Sequence, residues 1–235
     1  MDKKEKNILV TGSNRGIGLG FVEYYLRKGY NVIATCRNTK QADNLQKLKS
    51  NYENNLFIES LDVSDPLEQQ KLYDKYKDIT LDILINNAGV YPEHHEKISI
   101  SKTDPNWIEE AFKVNCLGAF YLIHYFKESL QKSLNPKVIN MASQAGSIEQ
   151  TKAGFGYSYR ISKAALNMLT KTFASECPEI ITISLRPGWV KTQMGGEKAT
   201  LEIDDSISNM ATLIDRLKSE DSGKFLDAMG NIEKW

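Results

Sequence analysis

Short apolar runs alternate with longer helix-forming stretches along most of the chain. The runs hold four to six residues, rich in Ile, Leu and Val, which is typical of buried strands. They lie at 7–11, 31–35, 56–59, 81–85, 137–141 and 180–185. The longer stretches contain few Gly or Pro residues and predict helices. They lie at 19–28, 41–50, 67–76, 107–133, 157–177 and 206–217, before a last apolar turn or strand around 224–226.

This regular alternation of strand and helix predicts a parallel sheet. Parallel neighbours can be joined only by crossover connections, which are usually helices and nearly always right-handed. We find no internal repeat, low-complexity tract or linker in the 235 residues. We therefore expect an α/β fold with a doubly wound parallel sheet of about seven strands, forming a single domain over residues 1–235.

Three glycines follow the first predicted strand with the spacing GxxxGxG. A strand, a glycine turn and a helix start together bring backbone N–H groups and a helix N-terminus against a pyrophosphate. Glycine is needed there because a Cβ would hold the phosphate away from the backbone. We predict that this turn binds a dinucleotide through Gly12, Ser13, Asn14, Arg15, Gly16, Ile17 and Gly18.

The end of the second predicted strand bears on the choice between NAD and NADP. At this distance from the glycines an Asp or Glu would bind the adenosine ribose hydroxyls and favour NAD. Here Cys36 takes that place, with Arg37 next to it and Arg15 in the glycine turn. Two guanidinium groups suit a 2′-phosphate. We predict NADP(H) as cofactor, and two solvated arginines without a ligand remain the alternative.

Polar residues follow several of the predicted strands. Gly12, Arg37, Asp62 and Asn87 all come at or just after the carboxyl end of a strand, where ligands bind in open parallel sheets. Ser143 follows the fifth strand, and its hydroxyl could reach a substrate carbonyl. A serine in such a place is more often a turn residue.

Tyr159 and Lys163 are four residues apart on a predicted helix and so lie on one face. A free tyrosine has a pKa of about 10. A lysine beside it favours the phenolate and lowers that pKa, as a proton donor for an alcohol/carbonyl pair requires. Taken alone, such a pair is more often an ordinary contact between neighbouring side chains on a helix, without a catalytic role. The role of Asn115, inside the stretch 107–133, is undecided in the same way. An Asn in the middle of a helix often has no function and is simply exposed to solvent.

Composition excludes several classes of function. The chain has 30 basic and 30 acidic side chains, so there is no electrostatic case for nucleic acid or an anionic membrane. Three widely spaced cysteines without a CxxC suggest neither a disulfide framework nor a zinc site. We expect His94 and His95 to be surface residues and no metal to be bound. The charged residues 1–6 lack a signal peptide's apolar region, and we expect a soluble, cytoplasmic, reduced protein.

Together the motifs resemble the short-chain dehydrogenase/reductase family. In chain order they are Thr11-Gly12-Ser13-Asn14-Arg15-Gly16-Ile17-Gly18, Asn86-Asn87-Ala88-Gly89, Asn115, Ser143, Tyr159 with Lys163, and Pro187-Gly188. Each is weak alone, but the six occur in the family's order at the ends of the expected strands. The stretches 35–38 and 186–196, with Trp235, are similar to the branch that holds the sniffer-type carbonyl reductases and the C-factor-like proteins. The resemblance implies a Rossmann-type fold.

The resemblance also implies a role for each matching residue. Tyr159 would be the general acid, and Lys163 would lower its pKa and hold the nicotinamide ribose. Ser143 would bind the carbonyl oxygen, and Asn115 would anchor a water that relays protons. The implied cofactor set adds Arg37 and Asn38, Asp62 and Val63 at the adenine, Asn87, Ala88 and Gly89 along the adenosine and ribose, and Pro187, Gly188, Val190 and Thr192 at the carboxamide.

The implied activity is NADPH-dependent reduction of small or aromatic aldehydes, ketones or quinones. Residues 193–209 are shorter than the lid of many relatives, which implies an open pocket. Its expected walls are Tyr91, Ala145, Phe155, Trp189 and Met194. Two alternatives are a C-factor-like signalling or NADP-sensing protein with little turnover, and an alcohol dehydrogenase using NAD. Family members often pair through the helices matching 107–133 and 157–177, so we expect a homodimer or a tetramer.

Overall fold

The computed structural model describes residues 6–94 and 96–235. Residues 1–5 and His95 lie outside this range. The expectations about the charged N-terminal residues and about His95 as a surface residue therefore fall largely outside the described residues. Within these ranges seven strands pair, all parallel. They are β1 (Asn7–Thr11), β2 (Asn31–Cys36), β3 (Leu56–Ser60), β4 (Ile83–Asn86), β5 (Lys137–Met141), β6 (Ile181–Arg186) and β7 (Phe225–Asp227). Their order in the sheet is β3-β2-β1-β4-β5-β6-β7. The prediction of a doubly wound parallel sheet of about seven strands is confirmed.

Helices connect the strands and cover both faces of the sheet. They are α1 (Gly16–Arg27), α2 (Asp43–Asn51), α3 (Pro66–Tyr76), α4 (Pro105–Phe112), α5 (Gly118–Gln131), α6 (Tyr157–Glu176) and α7 (Ile203–Arg216). Short 3₁₀ turns lie at Thr39–Gln41, Ile100–Lys102, Gln144–Gly146 and Ser219–Asp221. The predicted helix 107–133 is one helical run, but a π-helical segment, Lys113–Leu117, divides it into α4 and α5. Such a π segment often marks a functional site.

Two hydrophobic cores lie on opposite faces of the sheet and bury it. Alternate side chains of a central strand pack into one core or the other. Ile8 and Val10 of β1 pack with residues of α1 and α7. Leu9, between them, packs on the opposite face with Leu122 and Phe126 of α5. A parallel strand covered on both faces must be apolar throughout, which explains the unbroken apolar run at 7–11.

The order of the sheet reverses between β1 and β4. The chain runs outward from β1 through β2 to β3, then returns to place β4 on the other side of β1, with Val10 beside Ile85. The connections on the two sides diverge at that point and leave a crevice beyond the carboxyl ends of the strands, which is where open sheets of this kind bind ligands.

Membrane-spanning helices and clustered metal ligands are both absent from the described residues. Over residues 6–94 and 96–235, no helix has both the length and the apolar content to cross a membrane. The same residues contain no group of three or more His, Cys, Asp or Glu side chains placed to hold a metal ion. Cys36, Cys116 and Cys177 are buried and unpaired.

Candidate active site

The glycine turn between β1 and α1 has the backbone that its sequence requires. Gly12 and Gly16 have φ values of +64° and +57°, a region that favours glycine. A Cβ added to Gly18 would lie 2.3 Å from the carbonyl oxygen of Gly12. Arg15, at the N-cap of α1, makes no capping side-chain hydrogen bond. The first N–H groups of α1 thus face the crevice without a cap from Arg15, an arrangement that suits a phosphate.

Asn87 and Thr11 hold this turn against β4. The Nδ2 of Asn87 donates to the carbonyl oxygens of Thr11 at 2.8 Å and Gly12 at 3.2 Å. The Oγ1 of Thr11 accepts from the backbone N–H groups of Asn87 and Ala88, both at 3.0 Å. The side chain of Asn87, which the resemblance assigns to the cofactor, is therefore engaged with the turn itself. Thr11 was not among the expected site residues, although its place directly before Gly12 was a visible signal.

Ser143, Tyr159 and Lys163 come together at the carboxyl end of β5. The ammonium nitrogen of Lys163 lies 5.6 Å from the ring centroid of Tyr159, as the four-residue spacing predicts. Its Nζ donates to the carbonyl oxygen of Met141 at 2.7 Å. The side chain of Ser143 lies near enough to the Tyr159 hydroxyl to lower its pKa. Ser143 also accepts from the N–H of Ala145 at 3.1 Å, which fixes its hydroxyl beside the phenol.

Asn115 lies in the π-helical segment and is 2% exposed, so the alternative of an exposed mid-helix Asn is wrong. Its Oδ1 accepts from Val90 N at 2.8 Å, and its Nδ2 donates to Val90 O at 2.9 Å and to Ser162 Oγ at 2.9 Å. A Cβ on Gly89 would lie 3.2 Å from Asn115 Oδ1 and 3.7 Å from Lys163 Nζ. The side chains of Asn115 and Lys163 therefore both lie next to Gly89, just after β4. Ser162 was missed, although it is three residues after Tyr159 on the same helix face.

The environment shifts the pKa values of both titrating groups. Tyr159 is half-buried as a residue, but its hydroxyl is enclosed. That loss of solvent raises the pKa of Tyr159 to about 12, with the hydrogen bond to Ser143 acting to lower it. Burial lowers the pKa of Lys163 to about 8. The expectation that Lys163 depresses the tyrosine pKa does not hold in this structure, because Nζ points to Met141 and burial weakens its own charge.

Arg15 and Arg37 are both exposed, and Arg37 directly follows the last residue of β2. The N–H of Ser13 donates to Thr35 O at 2.9 Å, which ties the glycine turn to that strand. Arg15 donates to Gln193, in the segment after β6. The side chain of Asn38 accepts from the N–H of Lys40 at 3.1 Å and caps the following 3₁₀ turn.

Asp62 and Val63 follow β3 and differ in their surroundings. Asp62 accepts from both the N–H and the hydroxyl of Ser64, at 2.9 and 2.6 Å. Val63 packs so closely on Gly118 that a Cβ added there would lie 3.0 Å from it. The side chain of Asp62 is thus partly used in its own turn, whereas Val63 forms an apolar floor at this edge of the sheet.

The segment after β6 reaches the glycine turn. A Cβ on Gly16 would lie 3.4 Å from the methyl carbon of Thr192. Pro187 O accepts from Ser206 Oγ at 2.8 Å, Gly188 has a φ of +89°, and Val190 forms a parallel bridge with Leu201. These contacts hold residues 187–192 at the mouth of the crevice. Because α7 begins at Ile203, only ten residues, 193–202, separate it from Thr192.

The expected pocket walls divide into two groups. Tyr91 stacks on Tyr159 with ring centroids 4.6 Å apart, Ala145 is bonded to Ser143, and Phe155 O accepts from Arg160 Nε at 2.8 Å. Tyr91, Ala145 and Phe155 therefore contact the segments that carry Ser143 and Tyr159. Trp189 donates from Nε1 to Gly195 O at 2.8 Å, and it and Met194 are exposed, so they form a separate, solvent-facing side.

Known proteins match over the same range. The family model for short chain dehydrogenase matches residues 6–202. C-signal of Myxococcus xanthus is 36% identical over 157 residues, covering 66% of this chain and 93% of that protein. The NADPH-bound carbonyl reductase from chicken fatty liver is 36% identical, with a TM-score of 0.88 over 98% of this chain and 99% of that chain. Carbonyl reductase Sniffer of D. melanogaster is 31% identical, with a TM-score of 0.91 over 98% and 100% of the two chains.

Proposed function

The chain belongs to the short chain dehydrogenase family, and from that premise we propose that it is an NADPH-dependent carbonyl reductase acting on small or aromatic aldehydes, ketones or quinones. The observation that carries the proposal is the cluster at the end of β5. There the side chain of Ser143 lies near enough to the phenol of Tyr159 to affect its pKa, and Lys163 lies beside the same ring. A binding protein without chemistry has no use for a proton donor held in this way.

NADP(H) is the cofactor that the residues present fit. The start of α1, which no side chain caps, offers free N–H groups to a phosphate, and the Gly12–Gly18 turn before it is too tightly packed for a Cβ at Gly18. Arg15 and Arg37 supply cationic groups beside β2, where a 2′-phosphate would be bound. Asp62, Val63, Ala88 and Gly89 would line the adenosine side, and Pro187, Gly188, Val190 and Thr192 the nicotinamide side. Two of the similar solved structures are described as bound to NADPH or NADP.

Bound NADPH supplies the hydride that reduces the carbonyl carbon, and the protein supplies the proton. We assign the proton to the Tyr159 hydroxyl, which transfers it to the substrate oxygen. A pKa of about 12 keeps this hydroxyl protonated at neutral pH, so the acid form is present when the carbonyl binds. Ser143 orients the same oxygen through its hydroxyl. The product is the alcohol, and the deprotonated tyrosine must then regain a proton.

Lys163 and Asn115 support that proton transfer. Lys163 has a pKa of about 8, so it carries a positive charge, and thus a transferable proton, through most of the neutral range. We propose that it also holds the nicotinamide ribose. Asn115 fixes Val90 and Ser162 on either side of the site, and we propose that it anchors a water that returns a proton towards Lys163.

The pocket suits an apolar carbonyl compound. Tyr91, Phe155 and Trp189 offer aromatic surface, and Ala145 leaves room near Ser143. Trp189 and Met194 are partly open to solvent, since residues 193–202 are too short to form a large lid. An uncovered pocket with aromatic walls accepts planar substrates of more than one shape.

A panel assay tests the proposal. The purified protein is mixed with NADPH, or with NADH in parallel, and with aldehydes, ketones and quinones of increasing size, while cofactor absorbance is followed. We expect oxidation of NADPH with aromatic carbonyls and a much higher KM for NADH. Tight binding of NADPH without oxidation across the panel would instead support a signalling or sensing role, which the similarity to C-signal favours.

Assembly and location form part of the same proposal. Apolar side chains are exposed on α5 and α6, namely Phe120, Ile161 and Met168, and Lys127 of α5 pairs with Glu176 of α6 at 2.8 Å. We propose that these helices meet their copies in a homodimer, which two such dimers could extend to a tetramer. We place the protein, as a single domain over residues 1–235, in the cytoplasm, where unpaired thiols such as those of its three cysteines stay reduced.

A further inference from the structure

Glu93 is a buried carboxylate beside the catalytic helix. It lies in the loop after β4 and is 2% exposed, among residues for which no catalytic role was expected. Its Oε1 accepts from the backbone N–H of Ser158 at 2.8 Å, and its Oε2 accepts from the Ser158 hydroxyl. Burying a carboxylate is costly unless it is hydrogen-bonded, so the fold retains this group for the contacts it makes.

Those contacts replace a missing helix cap. α6 begins after Gly156, which has a φ of +71° and no side chain to cap the first turn. Ser158 is the second residue of the helix, and its N–H is one of the groups that a helix leaves unsatisfied. Glu93 satisfies it from 65 residues away, and its negative charge at the helix N-terminus is favoured by the helix dipole. Tyr159 is the next residue.

The same loop touches the catalytic tyrosine directly. Tyr91 stacks on Tyr159 with an angle of 23° between the ring planes. The hydroxyl of Tyr91 lies so close to Gly156 that an added Cβ would be 2.8 Å from it. Val90, one residue earlier, is bonded through both its N–H and its carbonyl to Asn115. The loop is therefore fastened at Asn115 and at Ser158, with the stacked tyrosine between the two attachments.

We propose that Glu93 is a positioning residue for carbonyl reduction. It holds the first turn of α6 so that the Tyr159 hydroxyl stays beside Ser143. The inference rests on the proposed function but adds a residue that neither the motifs nor the similar proteins assign. Loss of Glu93 would let the first turn of α6 move, and a displacement of about 1 Å at a catalytic group can cost about 100-fold in rate.

The test compares Glu93→Ala with Glu93→Gln and Ser158→Ala. Gln keeps an acceptor for the Ser158 N–H, whereas Ala removes both bonds. We expect kcat to fall by between about tenfold and 100-fold in Glu93→Ala, with NADPH affinity unchanged, and most of kcat to return in Glu93→Gln. Ser158→Ala, which keeps the backbone bond, should fall between them. Asp65→Ala is the matched control, because it removes the side-chain N-cap of α3, a helix that packs on α5.

A second readout does not depend on turnover. NMR of isotope-labelled tyrosine, with the Tyr159 signal assigned by its loss in Tyr159→Phe, reports the environment of that ring. We expect the signal to move in Glu93→Ala and to stay in Asp65→Ala. If the parent protein reduces no carbonyl, the proposed function fails, and this signal still tests the positioning. An unmoved signal in Glu93→Ala, or a loss of stability with kcat unchanged, would overturn the inference.

Discussion

Lys163 donates from Nζ to the main-chain oxygen of Met141 across 2.7 Å, two residues before Ser143. The ammonium is thus held by the end of β5, where the carbonyl groups of a parallel strand point into the crevice. It contacts the face of the Tyr159 ring without lowering the pKa of that phenol. The sheet thus holds the Lys163 ammonium, and α6 places the Tyr159 ring next to it.

The burial of this lysine predicts a pH-dependent stability. Its folded pKa, about 8, lies below the ordinary value of 10.5, so between these values the unfolded chain binds the extra proton. The unfolding free energy of the parent must therefore rise with pH in that window, relative to Lys163→Met, by at most about 1.4 kcal/mol per pH unit. Urea unfolding of the parent and the variant from about pH 7 to pH 10 measures the difference. A constant difference across the range would show that Lys163 is not desolvated.

We expect the choice between NADPH and NADH to depend on Arg37. Its loss should raise the KM for NADPH by about tenfold to 100-fold, because a hydrogen bond to a charged group contributes about 1.5–3 kcal/mol. The KM for NADH, which lacks the 2′-phosphate, should not change in Arg37→Ala. Arg27→Ala, at the exposed end of α1, is the control for general loss of positive charge. Equal effects of Arg37→Ala on both cofactors would place this arginine outside the phosphate site.

The glycine turn has no room for a methyl group at Gly18. A Cβ there would lie 2.3 Å from Gly12 O and 2.6 Å from Asn87 Nδ2. Gly18→Ala should therefore cost about 1–3 kcal/mol of stability and weaken NADPH binding, since the turn must open. Gly154→Ala is the matched control, because no atom lies within 4 Å of its added Cβ. Urea unfolding and fluorescence titration with NADPH report the two effects. Normal NADPH affinity in Gly18→Ala would mean that this turn does not bind the cofactor.

The proposed dimer depends on the apolar face of α5 and α6. Met168 is 67% exposed on α6, and Met168→Asp would bury a charge in the interface. We expect light scattering to give a dimeric mass for the parent and a monomeric mass for Met168→Asp. Leu67→Asp, equally exposed at 70% on α3, should leave the dimer intact. A monomeric parent would contradict the assembly.

The sequence predicted the sheet well because each strand is a short run rich in Ile, Leu and Val. β1 and β5 have the predicted bounds, and the others differ by one or two residues, since the ends of elements depend on hydrogen bonds that periodicity does not report. The parallel direction of the strands followed from the need for crossover connections, whereas their order was not predicted, and the strand ends placed Gly12, Asn87 and Ser143 at one edge of the sheet.

What could not be predicted depends on contacts between distant segments. The π turn at Asn115 and its bonds to Val90 arise only when the β4 loop packs on the helix. Burial raised the pKa of Tyr159, opposite to the shift expected from a neighbouring lysine, because spacing reports that two groups are near but not where their atoms point. Glu93 had no motif and is recognised only by what it touches.

The most direct test of the account is turnover by Tyr159→Phe. This variant keeps the ring that stacks on Tyr91 and removes only the proton that the substrate oxygen needs. Stopped-flow or steady-state NADPH oxidation, with the best carbonyl from the panel, should show kcat reduced by at least about 100-fold with NADPH affinity retained. Turnover within about tenfold of the parent would contradict general acid catalysis by this tyrosine, and with it the central claim.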